Sequence, residues 1–129
     1  MDGDFIPDDV AEFIIEKIDS VAHMEAILLL RRNPKEKWSI PVLSERLYVS
    51  RNQAAELLAR LCAQGIVAAD AGDRSLYQYQ PNSPDLEQML NRVADAYAKH
   101  LVPVTNLIHS RPRIRVQEFA DAFKFRKDD

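Results

Sequence analysis

The stretch that decides the fold is residues 49–67, which read VSRNQAAELLARLCAQGIV. Ser50 is of a residue type that caps helix N-termini, and the leucines after it recur at helical spacing. Gly65 supplies a helix stop, and two β-branched residues directly after it open a strand. The stretch therefore predicts a tight turn, a helix over 50–64 and the first strand of a hairpin.

Three more helical segments are predicted upstream, and Asp19-Ser20 either restarts the first helix or continues it. Pro7-Asp8-Asp9 places a proline and two acids where a helix N-terminus favours them. Residues 21–32 are apolar on nearly all sides, which indicates a central, buried helix. Trp38 is expected to begin a short strand or turn. Ser39 then caps a third helix, and Pro41 lies in its first turn.

Downstream, residues 66–69 predict a short strand, and residues 76–80 alternate with period two as the returning strand. Ser83 caps a long helix that reaches residue 109. Pro103 is expected to kink this helix or to end it at Val102.

Four segments carry a family resemblance: WSIPVLSERL at 38–47, VSR at 49–51, the leucines within 57–61, and GIV at 65–67. In this order they resemble the winged helix-turn-helix domains of bacterial transcription regulators of the MarR and GntR type, over roughly residues 20–81. The resemblance implies a mainly α (α+β) fold with a two-stranded wing and extra helices at both ends. It also implies a non-enzymatic function in reading double-stranded DNA.

Three parts of the chain follow from this interpretation. Residues 1–82 form the winged helix-turn-helix domain with its N-terminal helix. Residues 83–109 form the long helix, expected to mediate dimerisation. Residues 110–129 form a tail that is basic and aromatic.

The predicted helix over 50–64 has one apolar and one polar face at about 100° per residue. The apolar face carries Ala54, Leu57, Leu58 and Leu61. The polar side and its N-terminal end are the candidate DNA-binding residues: Ser50, Arg51, Asn52, Gln53, Glu56 and Arg60. Asparagine and glutamine suit adenine, arginine suits guanine or phosphate, and glutamate can accept from cytosine. The alternative interpretation is a solvated helix face.

The predicted wing, residues 70–76, adds Arg74 as a DNA-binding candidate. The resemblance implies that this arginine enters the minor groove or meets the backbone. Asp70 and Asp73 dilute the positive charge around it, so the alternative is a hairpin tip that its charges keep soluble.

Charge counts against strong DNA binding. The net charge is −3, and residues 38–80 carry four acids and four bases. Because phosphate contacts supply essentially all non-specific affinity for DNA, a neutral reading unit favours the alternative function. That alternative is a winged-helix adaptor that binds another protein and no DNA.

The sequence predicts no catalytic residue, metal site or cofactor. His23, His100 and His109 lack the spacing of metal ligands, and they are expected to be partly buried or at the surface. Cys62 is the single cysteine, and we expect it to be a small helix residue in a reducing, cytoplasmic setting. No run of about 18 apolar residues indicates a membrane span.

The long helix carries apolar residues at alternating spacings of four and three, the pattern of a coiled-coil seam. The candidate dimerisation residues are Leu86, Leu90, Val93, Tyr97, His100, Val104 and Leu107. A helix that packs on its own domain needs a similar stripe, so a homodimer and a covering helix are both open. The tail places Phe119 and Phe123 among basic residues, so residues 113–127 are a candidate contact for a protein partner. The other interpretations are a strap on the chain's own core or on a dimer mate, and a helix at a membrane surface.

Overall fold

The protein is mainly helical, with one small sheet. The structure, a computed structural model, describes residues 6–110. In chain order the elements are α1 (Asp8–Lys17), α2 (Val21–Arg32), α3 (Ile40–Leu47), α4 (Arg51–Ala63), β1 (Val67–Ala69), β2 (Tyr77–Tyr79), α5 (Pro84–Lys99) and α6 (residues 101–110). The tail predicted at 110–129, with its candidate contact at 113–127, lies outside the described residues apart from Ser110.

Serine caps set the starts of four helices. Ser20, Ser39, Ser50 and Ser83 each take extended backbone angles, and each side-chain oxygen accepts the amide N–H three residues on. Such a bond satisfies one of the N–H groups that the first turn of a helix leaves without a partner. The helix starts predicted at Ser39, Ser50 and Ser83 are therefore confirmed.

The turn between α3 and α4 is only three residues long. Tyr48 ends α3 in the left-handed conformation, with φ of 56°, which is uncommon for a residue other than glycine. The turn is closed by Ser44, whose hydroxyl donates to the Val49 carbonyl at 2.6 Å and whose carbonyl accepts the Val49 amide at 3.1 Å. The direction of α4 relative to α3 is thus fixed locally.

Gly65 turns the chain from α4 into the sheet. Its φ of +74° is accessible to glycine at little cost, and an added Cβ would overlap the side-chain amide of Asn82. The Gly65 carbonyl accepts the Asn82 amide at 2.9 Å. The two ends of the hairpin are therefore joined where α4 ends.

The sheet consists of β1 and β2 in antiparallel register, with Val67 opposite Tyr79 and Ala69 opposite Tyr77. Trp38 adds an isolated antiparallel bridge to Tyr77 on the other side. In place of the short strand or turn expected to begin at Trp38, the structure has this single bridge.

One core runs through the described part of the chain. The central helix is α2, in which seven residues are buried, in agreement with its apolar sequence. The largest fully buried side chains of the core are Trp38, Ile14, Ile18, Met24, Ile27, Leu30, Leu43, Leu58, Leu61, Ile66, Leu90 and Ile108. They come from α1 to α6 and from the segments that flank them.

The predicted single helix over 83–109 is wrong in one respect. The chain breaks at His100, whose φ of −132° and ψ of 53° are not helical, and it restarts as α6. Pro103 lies in the first turn of α6, where no intrahelical partner is needed for its missing N–H. In a continuous helix its ring would clash with the Lys99 carbonyl, so the break precedes Val102.

Part of the predicted dimer seam is used inside the single chain. Leu90, Val93 and Val104 are fully buried, so they offer no surface to a second copy. The other four seam residues, Leu86, Tyr97, His100 and Leu107, are half-buried. The stripe therefore packs mainly on its own domain. A helix that covers a core needs the same apolar spacing as a coiled coil, so the sequence pattern fits both arrangements.

Candidate functional site

The first turns of α4 present a polar surface, which we call the outer face of α4: Arg51, Asn52, Gln53 and Glu56. All four side chains are exposed. On the opposite side, Ala54, Leu58 and Leu61 are fully buried. The two faces lie where the sequence predicts them, with Leu57 half-buried between them.

The N-terminus of α4 carries a positive partial charge at this surface. The Ser50 hydroxyl is itself exposed, and it accepts the Gln53 amide at 3.1 Å. The first two amides of the helix have no partner within the helix by geometry, and the helix dipole adds to their attraction for anions. Arg51 stands at this end, so the cap, the dipole and the guanidinium favour one kind of ligand, an anion.

Arg60, the last DNA-binding candidate on α4, forms an ion pair with Asp19. Its Nε lies 3.2 Å from Asp19 Oδ2, and its Nη2 donates to Asp19 Oδ1 at 3.3 Å. Asp19 lies in the linker between α1 and α2. The guanidinium thus holds the last turn of α4 to this linker, beside the cavity that Gln53 and Glu56 also line.

The hairpin loop over 70–76 is built by its two acids. The Asp70 carboxylate accepts the amides of Gly72 and Asp73 at 3.1 and 3.0 Å, and it pairs with Lys37 at 3.0 Å. The hydrogen bond from Lys37 is the main reason that the pKa of Asp70 is lowered. The Asp73 carboxylate accepts the Ser75 hydroxyl and amide, which lowers its pKa as well.

Arg74 is exposed at the tip of this loop. Within residues 6–110 it has no ion pair or side-chain hydrogen bond. Because both neighbouring acids are committed to the loop backbone or to Lys37, the Arg74 guanidinium faces solvent as a cation available for binding. The structure does not place it in contact with the outer face of α4.

A second group at this end of the molecule was not predicted as part of a site. Tyr48 is 95% exposed in the turn before α4, and Val42 on α3 is 42% exposed. Between them in sequence, Arg46 stacks over the Trp38 ring at 5.1 Å from its centroid. Only the turn at Tyr48 is predicted from the sequence, since a left-handed tyrosine has no signature in composition or periodicity.

The basic residues at 31–37 are partly used in packing. Arg31 donates to Asn91 on α5 at 2.8 Å, and Lys37 pairs with Asp70. Arg31 and Arg32 lie in the last turn of α2, where positive side chains are favoured by the helix dipole. Lys35 in the following turn is exposed.

The titratable groups of the described residues include histidines, acids and one cysteine. Within residues 6–110, no three histidine, cysteine or acidic side chains stand close enough together to hold a metal ion. Burial raises the pKa of the Cys62 thiol, which disfavours the reactive thiolate. His23 is 1% exposed, so the expectation that it is partly buried or at the surface is wrong.

Two open cavities lie beside α4. One, of about 400 Å³, is lined by Phe13, Glu16, Lys17, Arg60, Ala63, Gln64, Ile66 and Leu86. The other, of about 270 Å³, is lined by Asp19, Ser20, Ala22, His23, Gln53, Glu56, Leu57 and Arg60. Arg60 is common to both.

Comparison with known proteins gives no match to any protein-family model, curated protein or solved structure. Over residues 6–110, every helix is too short or too polar to cross a membrane. The function must therefore be inferred from the site.

Proposed function

We propose that this protein is a non-enzymatic, DNA-binding transcription regulator with a winged-helix fold. In this proposal α4 reads the major groove, and the wing, residues 70–76, contacts the minor groove or the backbone. The order of α3, a three-residue turn, α4 and a β-hairpin is compatible with a winged helix. In such folds the second helix of the turn enters the groove with its N-terminal residues.

One observation carries the proposal: Arg51, Asn52 and Gln53 are all exposed at the free, positive end of α4. Arg51 has the donors for guanine or phosphate, and the two amides can each form paired hydrogen bonds with adenine. The main opposing charge is Glu56 one turn further on, which suits a cytosine amino group but repels the backbone.

The affinity expected from residues 6–110 is modest. Arg60 and Lys37 are held there by aspartates and Arg46 stacks on Trp38, so we take Arg51, Arg74 and Lys35 as the phosphate contacts. Each phosphate contact contributes a slope of about −0.9 to the dependence of log affinity on log salt concentration, so three contacts give about −3. A strongly basic binder would have a much steeper dependence.

The test is a titration of the full chain with a random fluorescent duplex at 20 to 200 mM salt. Wild type should bind at low salt, and Arg51→Ala and Arg74→Ala should each weaken binding and reduce the salt slope by about one. The matched control is Lys99→Ala, which removes a cation that is paired with Asp95 on α5. Absence of duplex binding by wild type at low salt contradicts the proposal.

The second candidate is a protein-interaction adaptor. The exposure of Tyr48 and Val42 favours it, because aromatic and aliphatic side chains at a surface are typical of protein interfaces. The same titration distinguishes the two candidates. An adaptor shows no salt-dependent binding of the duplex, so wild type and Arg51→Ala give the same result.

The proposal includes a homodimer, as in most regulators that read two half-sites. The surface that remains for it lies at the start of α6, where Leu101 and Val102 are 53% and 65% exposed. Sedimentation should give a dimer at tens of micromolar and a folded monomer for the double variant Leu101→Asp, Val102→Asp. Sedimentation of wild type as a monomer removes the dimer from the proposal.

A further inference from the structure

Among residues 6–110, His23 is the one polar residue that is buried. It lies in the first turn of α2, and its ring meets the end of α4. A polar ring is buried at little cost only when its nitrogens have hydrogen-bond partners. These partners therefore indicate which ring nitrogen carries the proton.

The hydrogen bonds around His23 select one neutral tautomer. Nδ1 accepts the Asp19 amide at 3.0 Å, so it carries no proton. Nε2 lies 3.0 Å from the Gln64 side-chain oxygen, and the Gln64 nitrogen donates to the Lys17 carbonyl at 2.7 Å. The orientation of Gln64 therefore leaves Nε2–H as the donor. A ring in this state joins the linker, α2 and the C-terminal cap of α4.

The Asp19 carboxylate stands between two bases. Its Oδ2 is 3.2 Å from Arg60 Nε and 4.0 Å from His23 Nδ1. The other charged groups that face this region are Glu56 on α4, which lines the same cavity, and Glu16 and Lys17 on α1, which line the cavity beyond Gln64. The Asp19 carboxylate lies within 4.0 Å of the ring.

We propose that protonation of His23 transfers the Asp19 carboxylate from Arg60 to the histidine. A proton from solvent binds Nδ1, which can then no longer accept the Asp19 amide. Instead Nδ1–H donates to Asp19 Oδ2, and the Arg60 guanidinium is released into solvent.

The direction of the exchange follows from burial. A buried imidazolium is strongly unfavourable unless an acid pairs with it directly. The Arg60 side chain is 45% exposed, so water can solvate its guanidinium after release, and an exposed ion pair contributes little. The carboxylate is therefore needed more by His23 than by Arg60 once both are charged.

The exchange rests on geometry within the chain, and its consequence rests on the proposed function. With Asp19 removed from it, Arg60 becomes an additional cation on α4. A DNA-binding α4 would then gain one phosphate contact at a pH low enough to protonate His23.

Nuclear magnetic resonance of the full ¹⁵N-labelled chain tests the exchange. The ring nitrogens of His23 and the Nε–H of Arg60 are followed from pH 8 to pH 5. We expect both signals to change with one shared midpoint. In Asp19→Asn the Arg60 signal should stay at its released position at every pH, and in His23→Gln it should stay at its paired position. His100→Gln, at the α5–α6 break, is the matched control and should leave the wild-type behaviour unchanged.

Two results overturn the exchange. One is titration of the His23 ring while the Arg60 signal does not change. The other is a His23 ring that remains neutral until the chain unfolds. If His23→Gln does not fold, Asp19→Asn decides, because Asp19 is exposed and its replacement leaves the buried ring in place.

Duplex titration above and below the midpoint found by resonance separates this inference from the proposed function. One added contact steepens the salt slope by about 0.9, and Arg60→Ala should remove that increase. Exchange observed by resonance without any duplex binding contradicts the DNA proposal alone. Duplex binding without exchange contradicts this inference alone.

Discussion

The backbones of Trp38 and Tyr77 exchange two hydrogen bonds: the Trp38 amide donates to the Tyr77 carbonyl at 2.7 Å, and the Tyr77 amide donates back at 2.8 Å. Tyr77 also pairs with Ala69 in the sheet. The hairpin is thus attached to the segment before α3 as well as to the end of α4. The α3–α4 unit and the hairpin are therefore held together at two points.

The first prediction concerns Trp38, whose side chain is fully buried under Arg46. Trp38→Ala should lower the free energy of unfolding by about 3–5 kcal/mol, because it removes a large apolar side chain and leaves a cavity. Trp38→Phe keeps an aromatic ring and should lower it less. Urea denaturation measures the stability of both variants. It is followed by circular dichroism because Trp38 is the only tryptophan, and its replacement removes the tryptophan fluorescence signal. Equal stability of wild type and Trp38→Ala would show that the core is assigned wrongly.

The second prediction tests how α4 is held. Leu58 is fully buried on its inner face, and Leu58→Ala should destabilise the protein by about 2–5 kcal/mol. Ala59→Ser, at the neighbouring exposed position, is the control and should change stability by less than about 0.5 kcal/mol. A shift of less than about 0.5 kcal/mol for Leu58→Ala in denaturant melts contradicts the packing described above.

The third prediction separates the structural role of Ser50 from its proposed functional one. Ser50→Ala removes the cap on the Gln53 amide and should destabilise the protein by about 0.5–2 kcal/mol. Ser50→Asp retains a capping oxygen and should keep the stability, because a carboxylate is favoured at a helix N-terminus. The added negative charge should nevertheless weaken duplex binding. Duplex affinity of Ser50→Asp equal to that of wild type would argue against α4 as the DNA-contacting helix.

The fourth prediction is a pH dependence at the hairpin loop. The folded-state pKa of Asp70 lies below its ordinary value of 3.8, chiefly because Lys37 donates to it. The stabilisation from this pair is therefore complete above the ordinary pKa, and it is lost as the pH falls through the folded-state pKa. In a carboxyl ¹³C titration, Lys37→Ala should raise the Asp70 midpoint towards 3.8. Lys99→Ala is the control, and an Asp70 midpoint that is the same in wild type and Lys37→Ala contradicts the pairing.

Local signals in the sequence predicted much of the fold. A capping serine accepts a hydrogen bond from an amide three residues away, and Gly65 adopts a positive φ at its own position. Both features can therefore be identified from short segments. The two faces of α4 follow from helical periodicity alone. For this reason the exposure of Arg51 and the burial of Leu58 agree with the sequence-based prediction.

Long-range pairs could not be predicted in the same way. Arg60 meets Asp19, and His23 meets Gln64, each across a separation of 41 residues. Nothing in the neighbouring sequence of Arg60 indicates that its guanidinium is already paired. The stripe from Leu86 to Leu107 was ambiguous for another reason, since a covering helix and a coiled-coil helix have the same apolar spacing.

The closure of the hairpin at Gly65 and Asn82 makes it an exchangeable module. Because the chain leaves and re-enters the helical body at one point, the length of the loop between β1 and β2 has little influence on where α5 begins. Doubling the length of a flexible loop adds only about 0.6 kcal/mol of closure entropy. Longer or differently charged loops can thus be grafted between Ala69 and Tyr77, and protein engineering can vary the reach of this tip independently of α4.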